Sequence, residues 1–287
     1  MKQQVLYKTI DIDGVSLFYR QAGLPGQPTL LLLHGFPSSS HMYRDLIAAL
    51  AEKYYVVAPD YPGFGQSSSP DISTFAYTFD NLSTVIERFI DQLQLEAIHL
   101  YMQDYGGPIG MRIATRRPGL IRSLIIQNAN AYLEGLGDLL EPLTAYIQDA
   151  GPANEARARY FLSIDATRFQ YLHGAGDASK VSPDSYSLDQ YYLNRPGNDL
   201  IQLALFRDYG SNIALYETWH QYFRQHQPRA LVIWGIYDAM FIAPGANAYT
   251  KDLPGAEVIL VEGGHFLLEE HHHFVAEQID RFVAAGV

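Results

Sequence analysis

The stretch Tyr101-Met-Gln-Asp-Tyr-Gly-Gly107 decides how this sequence is read. A short apolar run, Ala97-Ile-His-Leu-Tyr-Met102, leads into it, and Gly106-Gly-Pro-Ile-Gly110 leads out. The run reads as a buried strand and the small residues as the start of a helix, so Asp104 falls at the tip of a sharp strand-to-helix turn. Taken alone, an aspartate after a strand is usually a helix cap. The question is whether this one is a nucleophile.

Working outward from it, apolar runs alternate with helical patterns. Residues Thr29–His34, Tyr54–Ala58, Ala97–Met102 and Arg122–Gln127 read as strands, and His41–Glu52, Phe79–Leu93 and Gly107–Arg116 as helices. Strands apolar along their whole length belong to parallel sheets covered on both faces. From about Tyr132 to Gln227 the strand signal stops. That segment is rich in Tyr, Arg, Asp and Gln, and is broken by turn signals at Ser182-Pro-Asp184 and Arg195-Pro-Gly-Asn198. Strands return at Arg229–Gly235 and Ala256–Val261, and Leu267–Val283 reads as a closing helix. An insertion of roughly 95 residues is too long for a loop and should form a helical layer. The expected fold class is α/β, with a mostly parallel twisted sheet flanked by helices. Residues 1–131 and 228–287 should form the core, and residues 132–227 a helical cap.

Composition narrows the function. The 287 residues, 48% of them hydrophobic, suffice for a large core, and the net charge of −11 argues against nucleic acid as a partner. No cysteine is present, which excludes disulfides, thiolate metal sites and a Cys nucleophile. The start, MKQQVLYKTI, lacks the apolar stretch of a signal peptide, and no apolar run is long enough to span a membrane. A cytoplasmic protein, monomer or homodimer, without membrane association is expected. The 21 tyrosines outnumber 14 phenylalanines, and many lie between residues 132 and 222. Tyrosine suits a pocket that takes apolar matter and donates a hydrogen bond. The histidines at 271–273 read as a solvated helix face, and neither a metal nor another cofactor is expected.

Three polar residues follow strands, where ligand sites of open α/β sheets gather. Asp104 follows the strand at Ala97, Asp238 (in WGIYDAMF) the strand at Leu231, and His265 (in VEGGHFLLEE) the strand at Val258. Each has a structural explanation on its own. Together, in the order acid, acid, base and after His34-Gly-Phe-Pro37, they resemble the nucleophile–acid–histidine order of the α/β-hydrolase family, with Asp104 in place of serine. The resemblance covers nearly the whole chain. Asp60-Tyr-Pro-Gly-Phe-Gly-Gln-Ser67 is similar to the family's loop after the following strand. Gln103-Asp-Tyr-Gly-Gly107 resembles the elbow of its aspartate branch, the epoxide hydrolases and haloalkane dehalogenases. By that resemblance the backbone N–H groups of Phe36 and Tyr105 form an oxyanion hole, and His34, Gly35 and Pro37 support its loop. Gln103 stands where many epoxide hydrolases have His, Met102 where the elbow has its first glycine, and Tyr105 where Trp is common.

A carboxylate that attacks a carbonyl would give an anhydride, an uphill product. A carboxylate that attacks saturated carbon gives an ordinary ester. Asp104 therefore implies a small apolar electrophile with an sp³ carbon and a leaving group. His265, oriented by Asp238, would activate the water that hydrolyses the ester. Tyr105 and Phe36 replace halide-binding residues typical of dehalogenases, which favours an epoxide. The resemblance then implies two cap tyrosines that protonate the epoxide oxygen, and points to Tyr146 and Tyr209. A haloalkane is the alternative substrate. An ester hydrolase using Asp104 as a base, or a non-catalytic binding protein, are further alternatives.

Overall fold

The computed structural model describes residues 4–286. The first three residues, which begin the stretch read above as lacking a leader, lie outside it, as does residue 287. The chain starts with a hairpin that the sequence reading did not include. Strands β1 (Leu6–Ile12) and β2 (Val15–Ala22) pair antiparallel across Asp13-Gly14, whose φ angles of 52° and 83° suit a tight hairpin turn. β1 is exposed along most of its length, so it lacks the apolar continuity by which the other strands were found.

β3 (Thr29–Leu33), α1 (Arg44–Leu50), β4 (Tyr55–Pro59), α2 (Phe79–Gln92), β5 (Ile98–Gln103), α3 (Gly106–Arg116) and β6 (Ile121–Gln127) follow. The eight strands form one sheet in the order β1-β2-β4-β3-β5-β6-β7-β8, where β7 is Ala230–Gly235 and β8 is Glu257–Val261. β2 meets β4 antiparallel, and every pairing beyond it is parallel. Successive side chains along a strand serve opposite faces. Leu31 and Leu33 accordingly pack with α2 and α3, and Leu30 and Leu32 with α1 and the closing helix.

Between β6 and β7 lie α4 (Glu141–Gln148), α5 (Pro152–Ala158), α6 (Ile164–Leu172), α7 (Pro183–Leu193), α8 (Asn198–Ala214) and α9 (Tyr216–His226), with short 3₁₀ turns. Among the described residues, no strand of the sheet falls in this insertion. It is packed down rather than tethered. α8 lies against α2, α9 lies against α3, and Phe206, Trp219 and Phe223 are buried in the same cluster as the sheet side chains. Arg112 of α3, itself buried, donates to Asn212 Oδ1 (2.6 Å) and Ser211 Oγ (2.9 Å) of α8. α10 (Pro244–Ala248) follows β7, and α11 (Leu268–Ala284) closes the chain with a break in helical geometry at His271. No described helix is long and apolar enough to cross a membrane.

Candidate active site

β5 ends at Gln103 and α3 begins at Gly106, which leaves Asp104 on the turn between them with φ of 48°. A non-glycine residue held in the left-handed region is strained, and the surroundings must enforce it. Here the Gly107 N–H donates to the Asp104 carbonyl (2.9 Å), and the Asp104 N–H to the Asn128 carbonyl (3.2 Å). Gly106 lets the helix start against the sheet, because a Cβ there would overlap the Leu33 carbonyl.

The loop after β3 closes over the elbow. The Phe36 N–H donates to Asp104 Oδ1 at 2.6 Å. A Cβ on Gly35 would lie 2.5 Å from both Asp104 Oδ1 and Gln103 Oε1, so only glycine allows the loop this close. His34 holds the loop from beneath. Its Nδ1 lies 3.1 Å from the Gly35 carbonyl, its Nε2 accepts from the Tyr61 N–H (3.3 Å), and its ring stacks on Tyr61. Burial pushes the His34 pKa down to about 3, so the ring is neutral, as that pattern needs. Pro37 follows in the same buried loop.

Asp238 and His265 come to the same place from the ends of β7 and β8. His265 Nδ1 lies 2.7 Å from Asp238 Oδ2. Asp238 Oδ1 accepts the N–H groups of Met240 (2.8 Å) and Phe241 (3.0 Å), and Asn128 Nδ2 donates to Oδ2 (2.9 Å). Asn128 also accepts the Gly235 N–H at 2.9 Å and so ties β6 to the acid. The other ring nitrogen, Nε2, lies 3.0 Å from the amide nitrogen of Gln103. A neutral ring carrying its proton on Nδ1 accepts that bond, and a protonated ring requires the amide to turn its oxygen inward. Gln103, seen in the sequence only as a departure from a pattern, thus reaches the base directly.

Burial is the main cause that pushes the Asp104 pKa up to about 6. The His265 ring and the N–H groups of Phe36 and Tyr105 pull it down, and Asp238 pushes it up further. For His265, burial opposes the charged ring, but the Asp238 and Asp104 carboxylates outweigh it and the pKa is raised. A carboxylate mostly ionised at neutral pH thus shares a buried space with a base held on its far side by a second carboxylate.

The cavity above Asp104 is closed by the insertion. Leu140, Leu143 and Ile147 of the α4 region, Phe161, Phe206 of α8 and Phe241 give it apolar walls, and Asp104 is its one charged lining residue. The space open to the centres of water-sized molecules is about 80 Å³. At about 10–15 Å³ of that measure per water, it holds roughly six waters or one compact organic molecule. Tyr105 and Tyr209 both line it, with ring centroids 6.4 Å apart. Burial, and the nearby Asp104, raise both phenol pKa values well above the usual range, so both stay protonated. Tyr146 does not join them. Its neighbours on α4 at 143, 144 and 147 face the cavity, while Tyr146 lines a separate surface cleft with Glu155 and Arg207. The helix turns it away by about 100° from its successor Ile147. Gln170 of α6 also lines the cavity, and nothing in the sequence marked it. Among the described residues, no cluster of potential ligands could hold a metal ion.

A fold with an aspartate at the elbow, a histidine–aspartate pair behind it and a helical insertion above defines a class. The chain belongs to the alpha/beta hydrolase fold family, whose model matches residues 28–272. It is 40% identical over 258 residues, 88% of each chain, to the uncharacterized hydrolase YNR064C of Saccharomyces cerevisiae. It is 34% identical to a haloalkane dehalogenase of Bradyrhizobium diazoefficiens over 170 residues, 59% of this chain and 54% of the other. Among solved structures, the haloalkane dehalogenase DbeA of Bradyrhizobium elkani superimposes over 99% of both chains with a TM-score of 0.81 at 22% identity, a likeness of fold. The chain is thus an α/β-hydrolase related to the haloalkane dehalogenases.

Proposed function

We propose that the protein opens a small epoxide to a diol through a covalent ester on Asp104. The observation that carries this reading is the pair of phenols, Tyr105 and Tyr209, on the wall of the apolar cavity that holds the carboxylate. An alkoxide is a poor leaving group and needs a proton, which a buried, fully protonated tyrosine supplies even with its pKa raised, because an alkoxide is more basic still. The Asp104 carboxylate attacks one oxirane carbon, the carbon–oxygen bond breaks, and a tyrosine protonates the released oxygen. Tyr146 has no part in this scheme, and Tyr105 takes its place.

Esterification removes the charge on Asp104, one of the two carboxylates that raise the His265 pKa. The ring then gives up its proton more readily and becomes the base for the second step. It takes a proton from water, whose oxygen attacks the ester carbonyl. The resulting oxyanion meets the N–H groups of Phe36 and Tyr105, and loss of one such donor typically costs about 3 kcal/mol. Collapse breaks the bond between the carbonyl carbon and the alkyl oxygen, His265 protonates the departing diol oxygen, and the water's second proton passes from the Asp104 carboxyl to the tyrosinate left by the first step, which restores both the carboxylate and the phenol. The insertion acts as a cap that keeps bulk water from the ester. The same machinery would hydrolyse a haloalkane, and the relation to haloalkane dehalogenases favours that as the second reading.

The test is a single turnover in ¹⁸O-labelled water. The first diol should carry no label, because its new oxygen comes from Asp104. His265→Gln should accumulate a covalent adduct on Asp104. Label in the first-turnover diol would rule out the ester. Chloride release from chloroalkanes without diol formation from epoxides would move the assignment to the second reading.

A further inference from the structure

One group in the cavity is unused by the chemistry above. Gln170 is 3% exposed and lines the same cavity as Asp104, yet neither its Oε1 nor its Nε2 has a hydrogen-bond partner among the described residues. Buried amides are almost always paired, so an amide unpartnered at both ends on the wall of an apolar pocket is a socket for something that enters it. The neighbouring residues of α6 are settled. Thr167 bonds Gln190 Oε1 at 2.9 Å, and the Tyr171 hydroxyl bonds Asp189. Gln170 makes no hydrogen bond to Asp104, Tyr105 or Tyr209, the groups that act at the reacting carbon. Its place is therefore at another part of the substrate.

We propose that Gln170 is a specificity-determining residue that binds a hydroxyl carried by the substrate away from its electrophilic carbon. A hydroxyl accepts from the amide N–H and donates to the amide oxygen, so it satisfies both ends at once. A carboxylate or phosphate is disfavoured, because the cavity lining has no cationic side chain and holds the Asp104 carboxylate. The small size of the cavity sets the class. On the epoxide reading, on which this rests, the substrate is a compact epoxy alcohol rather than an alkyl epoxide.

Two pairs of molecules test it. The reactive pair is 3,4-epoxybutan-1-ol and 1,2-epoxypentane, alike in size but for hydroxyl against methyl. The wild type should favour the alcohol in kcat/KM by on the order of 100-fold, since a site built to bond a hydroxyl rejects the analogue without it. Gln170→Leu should lose that preference, chiefly through KM, and gain on the alkyl epoxide. The unreactive pair, 3-hydroxytetrahydrofuran and 3-methyltetrahydrofuran, reads the same preference as dissociation constants, whatever reaction the enzyme performs. If epoxides are not turned over but the hydroxy ether still binds better to the wild type and not to Gln170→Leu, the socket stands and the epoxide reading falls. Equal binding of the two ethers by the wild type overturns the proposal, as does a preference that survives in Gln170→Leu or, should that variant fail to fold, in Gln170→Met.

Discussion

At the scale of the residue, Asp104 shows what a reactive carboxylate costs. Its folded pKa, about 6, lies above the usual aspartate value near 4. The folded state therefore holds a proton that the unfolded chain has released. The associated stability is present below about pH 4 and is lost as pH rises through 6. At about 1.4 kcal/mol per pH unit, the ionised carboxylate destabilises the fold by about 3 kcal/mol. Asp104→Asn should therefore be inactive yet melt higher than the wild type at pH 8, with the difference shrinking towards pH 4. A lower melting temperature at pH 8 would contradict this. On the proposed reaction only the ionised Asp104 attacks, so kcat/KM should fall tenfold per unit below pH 6, as a pH–rate profile would read. Asn128 bears on the other step. Asn128→Ala removes a donor from Asp238 and leaves the Gly235 N–H unpartnered, which should cost about 1–3 kcal/mol of stability. It should also slow ester release more than ester formation, visible as a larger burst before steady state. That Asp104, Asp238 and His265 come to one place was legible in the sequence because each is a polar residue at the end of an apolar strand. Asn128 and Gln170 were not, since an amide in a loop or a helix carries no mark of what it will face.

Among the elements, the elbow and the loop above it depend on a missing side chain. Gly35→Ala would place a methyl against the Asp104 and Gln103 side chains. Overpacking of this kind costs about 1–3 kcal/mol, and a carboxylate pushed by an ångström loses about 100-fold in rate. A Gly35→Ala protein with wild-type kcat/KM would show that the loop has room to give. The central strands β3 to β7 were readable because they are buried on both faces. β1 was not, for it lies at the sheet edge and exposes mixed residues; the Asp13-Gly14 turn was the available signal. The 132–227 segment was readable as helical in general, but the place and phase of α4 were not. Leu140, Leu143, Thr144 and Ile147 share its inner face at spacings of three and four, and Tyr146 falls off that face.

For the whole molecule, the gap between the buried strands that end at Gln127 and resume at Ala230 was visible in the sequence. How the insertion docks was not visible, because docking depends on pairs far apart in the chain. Arg112 meets Asn212, and Tyr171 stacks on Phe266 with centroids 3.7 Å apart, beside His265. The insertion is thus pinned both to the helix that follows Asp104 and to the residue that follows His265.

The enclosure of Asp104 reaches beyond chemistry into kinetics. Asp104 is 6% exposed and His265 2%, so on the proposed reaction substrate and product pass beneath the helices above, and a parting of those helices would gate both. Such openings often limit turnover, and motion through solvent is slowed by friction whereas bond making inside the cavity is not. Turnover of a good substrate should therefore fall in proportion to the viscosity of added sucrose, while the single-turnover rate of ester formation stays constant. A kcat indifferent to viscosity would mean that the helices part faster than the ester is hydrolysed, and that His265 rather than the door above it sets the pace.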